Sequence, residues 1–235
     1  MLLLFASTVA STAADPNYTT ERVAMVRTIA LYAAEAKSAT GRDRLSSQVL
    51  DAMGMVPRHA FVPEEERSRA YADRPLPIGY GQTISQPFIV AVMTDLMQIR
   101  PDNVVLEIGT GSGYQAAVLA QLAHQVYTIE IVPGLASGAA QRLKSLGYTN
   151  VAARLGDGYY GWPEAAPFDS IIVTAAASQI PPPLIQQLKA GGRMIIPIGA
   201  PFSLQHLVLV EVDQERKVKT RELLPVAFVP LTGAH

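Results

Sequence analysis

Apolar residues along this chain follow two rhythms. Short, nearly unbroken apolar runs occur at Asn103–Leu106, Gln125–Ile129, Asn150–Leu155, Asp169–Thr174 and Arg193–Ile198. Between them, apolar positions recur every three or four residues. Unbroken runs of this length read as strands buried on both faces, and the three-to-four spacing reads as helices packed on them. Ile171-Ile172-Val173 is apolar throughout, as a central parallel strand requires. Helices are expected from Ala116-Ala117-Val118-Leu119, over Pro133–Leu146 with Gly147 as its stop, and over Leu184–Leu188 ended by Gly191-Gly192. Gln205–Val212 and Lys219–Phe228 are β-like and joined by the charged turn Asp213–Lys217, so they read as an antiparallel pair closing the sheet. The expected fold is α/β, a doubly wound, mostly parallel sheet of seven strands.

Upstream the pattern is helical. Residues 19–39 place Val26, Ile29, Ala30 and Ala33 at helical spacing, with Thr19 or Thr20 as cap, Glu21 in the first turn and Gly41 as the stop. A second helix starts near Ser46 or Ser47, carries Val49, Leu50 and Met53, and stops before Pro57. Residues 56–63 read as an irregular link and Glu64–Tyr71 as a short charged helix. Residues 15–75 are thus expected to form a helical cap, and 76–235 the core of one domain. Residues 72–87 have no period and are punctuated by Pro75, Pro77, Gly79, Gly81 and Pro87, so they read as a long loop, a type that is usually functional or mobile. Helix Phe88–Gln98 follows, with Ser85 or Gln86 to cap it and Pro87 in its first turn.

The strand at 103–106 runs into a glycine loop, Gly109, Gly111 and Gly113, before the next helix. Strand, glycine loop, helix is how a doubly wound sheet binds a nucleotide-like cofactor. Tyr114 stands where the dinucleotide fingerprint has its third glycine, and Glu107 precedes the first glycine by two. This E-x-G-x-G-x-G pattern resembles motif I of the class I S-adenosylmethionine (AdoMet) methyltransferases. A second acid is expected at the end of the following strand, where Glu130 stands, to hold ribose hydroxyls.

Composition narrows the partners. The chain of 235 residues is 49% hydrophobic and 17% charged, with a net charge of −1 and no Lys/Arg run, so no nucleic-acid partner is expected. It has no cysteine, which excludes disulfides, thiol catalysis and cysteine-bound zinc. Its histidines, His59, His124, His206 and His235, are scattered, and no metal site is expected. No apolar run reaches the roughly 18 residues of a membrane span, so no stable membrane association is expected. Residues 1–14 are apolar, then small, and end in Thr12-Ala13-Ala14. They match the h-region and cleavage site of a signal peptide but lack its basic start, so a signal peptide and a plain extension both stand.

The loop LPIGYGQTISQP (76–87) closely resembles the signature loop of the protein-L-isoaspartate O-methyltransferases. VPRHAFVP (56–63), VLEIGTGSGYQ (105–115), GDGYYGWPEAAPFDSIIVTAA (156–176), AGGRMIIPIG (190–199) and FVPLT (228–232) resemble further family segments in the same order. The likeness is good over 56–232 and poor over 1–45. It implies a Rossmann-like methyltransferase sheet with an N-terminal helical cap, AdoMet as cofactor with S-adenosyl-L-homocysteine as product, and isoaspartyl proteins and peptides as substrates. It implies that Ser85, with Thr83 beside it, meets the substrate carboxylate. Glu107, Gly109, Gly111, Gly113 and Glu130 would hold the cofactor, Pro87 and Phe88 would touch it, and Gly156 and Asp157 would border its adenine. A plain turn also explains Asp157. Thr232 would contact substrate or cofactor, or simply end a strand. Trp162 reads as a packing aromatic. The chemistry suits the residues: a carboxylate acceptor is already ionised at neutral pH and needs no general base, so positioning is the main task. The start of the 87–98 helix would favour such an anion. The cytoplasm is expected from cofactor supply, with export as the alternative if residues 1–14 are cleaved. The rivals are an AdoMet enzyme acting on a small molecule or RNA, a binding module without turnover, and a nicotinamide oxidoreductase.

Overall fold

The structure is a computed structural model that describes residues 18–200 and 203–234; the signal-peptide reading of residues 1–14 falls outside them. In chain order the helices are α1 (Thr19–Glu35), α2 (Lys37–Thr40), α3 (Ser47–Met55), α4 (Pro87–Leu96), α5 (Tyr114–Ala120), α6 (Pro133–Ser145) and α7 (Pro182–Gln186). The strands are β1 (Leu76–Gly79), β2 (Gln82–Ile84), β3 (Val104–Ile108), β4 (Gln125–Glu130), β5 (Val151–Leu155), β6 (Phe168–Val173), β7 (Leu188–Ile198), β8 (Gln205–Val212) and β9 (Val218–Val226).

Seven of these strands form one sheet in the order β5-β4-β3-β6-β7-β8-β9. β5, β4, β3, β6 and β7 are parallel, and β8 runs antiparallel to both β7 and β9. The doubly wound, mostly parallel sheet expected from the apolar runs is what forms. Both faces are covered, which is why the central runs are continuously apolar. Val105, Val126 and Ile172 join Met25, Ile29, Met53 and Met93 in a core under α1, α3, α4 and α5. Leu106, Ile171 and Met194 face the other way, against Phe168, Leu184 and Leu188. The chain's winding reverses between β3 and β6, and a crevice opens at the carboxyl ends of strands at such a switch point. Among the described residues no helix is long and apolar enough to cross a membrane.

Several local expectations need correction. The first helix breaks at Ala36 into α1 and α2, and its cap is Tyr18 without a side-chain bond, not Thr19 or Thr20. Gly41 does stop α2, in the left-handed conformation, and Ser46 does cap α3, accepting the Val49 N–H. The charged segment after residue 63 is a 3-10 helix, Glu64–Arg69. β7 begins at Leu188 and passes through Gly191-Gly192, which therefore lie within a strand and end no helix. The main difference is at 72–87. It is no open loop but holds a β1–β2 hairpin with Gly79 paired to Gln82. Tyr80 and Gly81 make its two-residue turn with φ of 55° and 71°. Positive φ at both positions suits the twist of a hairpin. A tyrosine in that conformation is uncommon, so the usual Asn-Gly signature is missing.

Gly113 opens α5 at φ 91°, and a Cβ there would lie 3.2 Å from Leu143 of α6. Gly113→Ala combines a left-handed alanine, costing roughly 1–2 kcal/mol, with this close approach. Thermal melting should show a fall of roughly 2–8 °C for a chain of this size. An unchanged melting temperature would contradict the α5–α6 packing.

Candidate active site

The crevice at the switch point is walled by the loops that leave β3, β4 and β6 and roofed by the β1–β2 hairpin. Thr83, Ser85, Glu107, Gly109, Gly111, Glu130 and Thr232 all line it, as do Thr174 and Gly158. The glycine loop is built by close approaches. Gly109 has φ 95°, and a Cβ on it would collide with Thr174 Oγ1, which donates to Gly109 O at 2.7 Å and to Ile108 O at 3.0 Å. Gly111 has φ 54°, and its missing Cβ lies 3.3 Å from Ile78 Cδ1 of the hairpin roof. At the hairpin tip Tyr80 lies over Gly134, where a Cβ would meet its phenol.

The two acids of the crevice are held differently. Parallel pairing sets Ile108 beside Ile129, so the chain leaving β3 passes the last residue of β4. There Glu130 Oε2 accepts the Gly111 N–H at 2.7 Å and Oε1 accepts the Val132 N–H at 2.9 Å. Each oxygen keeps a lone pair for a further donor such as a hydroxyl. Glu107 is fully buried. Thr128 Oγ1 donates to its Oε2 at 2.6 Å, Thr110 Oγ1 lies 2.6 Å from Thr128 Oγ1, and Oε1 has no partner among the described residues. Burial pushes the Glu107 carboxyl up to about 8; the Thr128 bond opposes this and the nearby Glu130 charge adds to it.

Ser85 follows β2 directly and is half-buried; Thr83 is exposed at the rim. Sequence offered Ser85 or Gln86 as the cap of α4, but neither side chain caps it. Asp73 does so from across the hairpin. Its Oδ1 accepts the Phe88 N–H at 2.9 Å and its Oδ2 accepts from Gln86 Nε2 at 2.7 Å. The Ser85 hydroxyl makes no hydrogen bond among the described residues. The start of α4 already carries a carboxylate, so the expectation that it favours a substrate anion fails. Asp73, Thr174 and Thr128 carry no short-range signal, because each acts on a segment distant in the chain.

Some expected site residues stay out of the crevice. Pro87 and Phe88 are buried at the head of α4, where Phe88 packs edge-on against Tyr32. Gly113 faces α6. Gly156 lies outside the wall and donates its N–H to Glu130 O at 2.9 Å. Asp157 accepts the N–H groups of Tyr159 at 2.9 Å and Ala234 at 3.1 Å. Trp162 packs as expected, under the Arg154 guanidinium at 4.1 Å and against Tyr127.

Residues 37–235 match the family model of protein-L-isoaspartate(D-aspartate) O-methyltransferase. The chain belongs to this family. A curated relative from Syntrophobacter fumaroxidans, protein-L-isoaspartate O-methyltransferase 2, is 58% identical over 235 residues, covering 100% of this chain and 95% of that one. A solved protein-L-isoaspartate O-methyltransferase aligns with TM-score 0.79 and 29% identity, covering 90% of this chain and 66% of that one. A Plasmodium falciparum structure, titled as a family protein in complex with S-adenosyl-L-homocysteine, aligns with TM-score 0.70 and 26% identity, covering 86% and 98%. The family uses AdoMet, and the crevice suits it. The unpartnered Glu107 Oε1 and the Glu130 carboxylate match a ligand with cationic and hydroxyl groups, and Gly111 leaves bare backbone at the wall.

Glu107 also sets a pH dependence of stability. Between its ordinary value near 4.5 and about 8 it is protonated in the fold and ionised in the unfolded chain. Unfolding there releases a proton, so its contribution is fully present below pH 4.5 and is lost as pH rises to about 8. Melting curves of the wild type and Glu107→Gln over this range should converge or cross, the wild type losing more stability toward high pH. Parallel curves would sink the assignment.

Proposed function

We propose that the chain transfers a methyl group from AdoMet to the free α-carboxylate of L-isoaspartyl residues in damaged proteins and peptides, starting their repair through a succinimide. One observation carries the reading. The crevice of the glycine loop and its two acids shares Thr83, Ser85, Thr174 and Val229 with a second groove, which is lined by Pro75, Ile89, Leu204 and residues 225–229. Ser85 therefore lines both the crevice and an adjoining, largely apolar groove, which supports a reading in which cofactor and peptide meet there.

Gly109 and Gly111 present backbone to the cofactor, Glu130 receives its ribose hydroxyls, and Glu107 supplies an acid in the dry part of the crevice. When bound, AdoMet supplies a methyl on a sulfonium, a good leaving group. Ser85, with Thr83 at the rim, donates a hydrogen bond to one oxygen of the acceptor carboxylate and leaves the other to react. No base is required, because the acceptor is ionised. The titratable groups of the crevice wall are Glu107, Glu130 and Tyr114, and burial pushes the Tyr114 phenol up to about 12. The neighbouring backbone nitrogen then displaces methanol from the methyl ester to close a succinimide without help from the protein, and addition of water opens part of it to normal aspartate. Pro87, Phe88, Gly113, Gly156 and Asp157 support this site from behind its wall, and Thr232 borders it. Of the expected cap, residues 15–75, the described part, 18–75, acts as a structural cap on the core. The enzyme works in the cytoplasm, where its cofactor is made, on protein substrates and with no nucleic acid or membrane partner.

Ser85→Ala removes a hydrogen bond to a charged oxygen, worth about 1.5–3 kcal/mol. Methylation of an isoaspartyl peptide should slow by about 10- to 100-fold. Calorimetry should find AdoMet affinity barely changed. Labelled methyl transfer should reach the isoaspartyl peptide and spare its aspartyl twin; equal labelling would refute the repair activity, and full activity of Ser85→Ala would refute the role of Ser85.

A further inference from the structure

Arg58 has no solvent exposure and is the largest side chain so buried among the described residues. Burial lowers its pKa, against the favourable charge of Asp73, but a guanidinium stays protonated in proteins. A buried charge is poor value for stability alone, since an apolar side chain of similar volume often does as well or better. What Arg58 does is specific. Nε donates to Ala70 O at 2.8 Å and Nη2 donates to Ser85 O at 2.7 Å, while its plane lies 4.7 Å from the Tyr114 ring centre. Asp73 grips the same turn from its other end, through the Phe88 N–H and the Gln86 amide. Residues 85–88 are thus fixed at both ends by a cation and an anion from elsewhere in the chain. The Ser85 hydroxyl itself takes no part in this clamp.

We propose that Arg58 and Asp73 are positioning residues for methyl transfer, locking the Ser85–Phe88 turn so that the Ser85 hydroxyl meets the acceptor carboxylate. The inference rests on the role given to Ser85 above. Neither residue lines the crevice or the adjoining groove. Misplacement of a reacting group by about 1 Å can cost on the order of 100-fold. Lysine cannot replace Arg58, because one compact ammonium lacks the rigid fork that spans two carbonyls.

The test is a pair of double-mutant cycles. Arg58→Lys and Asp73→Asn are each made in the wild type and in Ser85→Ala, with kcat and KM measured on an isoaspartyl peptide and AdoMet affinity by calorimetry. Each should lower kcat by roughly 10-fold in the wild type and by less than about 2-fold beside Ser85→Ala, because coupled residues are not additive. AdoMet affinity should stay within about 2-fold, since the glycine loop and Glu130 are untouched. Equal losses in both backgrounds, or no loss, would overturn the clamp while leaving the role of Ser85 intact. A fully active Ser85→Ala would instead remove the role of Ser85 and the clamp with it. Should Arg58→Lys fail to fold, the cycle on half-buried Asp73 decides in the same way.

Discussion

One carboxylate ties the carboxyl ends of the central strands together. Glu130 ends β4 and takes the N–H of Gly111 from the loop after β3 and that of Val132 at the head of α6, while its carbonyl accepts the Gly156 N–H after β5. Three adjacent strand ends therefore depend on one residue. The sheet makes this possible, since register in a parallel pair is set by backbone bonds and both faces are buried. The glycines follow from the same constraint. A loop drawn this close to Glu130, to Thr174 and to the hairpin roof has no space for a Cβ at Gly109, and little at Gly111. The glycine loop is as much a packing solution as a ligand cradle.

Two acids in one crevice would repel if both were ionised and dry. The fold separates them by environment. Glu130 accepts two backbone N–H groups, while Glu107, with one hydroxyl donor and no solvent, is pushed by burial toward its neutral form. A cationic ligand reverses that balance, because a positive charge beside Glu107 favours its ionised form.

What could be read in the sequence was what the chain decides locally. The strands β3, β4 and β6 were legible because burial on both faces demands unbroken apolar runs, and β8–β9 because alternation and a charged turn suffice for a hairpin. Strand–loop spacing points to Glu107, Gly109, Gly111 and Glu130, and family likeness to Ser85; the fold brings all five to the wall of one crevice. The hairpin at 76–84 was missed because Tyr80 holds a left-handed position normally given to Asn or Gly. The cap of α4 was misread because it comes from Asp73, which no N-terminal pattern at Ser85 or Gln86 could reveal. Arg58 reads as one residue of an irregular link, although the fold places it beneath the turn that carries Ser85. Each of these misses is a tertiary contact overriding a local signal.

The charges around Ser85 follow a common logic. A carboxylate acceptor reacts through an oxygen lone pair and loses charge as the bond to the methyl forms, so a fixed cation paired to it would hold the ground state more tightly than the transition state. Binding of this kind raises affinity at the expense of the rate of the chemical step. Near Ser85 the nearest buried cation has two of its donors on backbone carbonyls, and the helix start carries Asp73. If Ser85 meets the acceptor as proposed, the carboxylate finds a neutral hydroxyl held in place by charges that it does not itself touch. Orientation is then supplied without quenching the nucleophile, which is what a reaction that needs no base requires of its site.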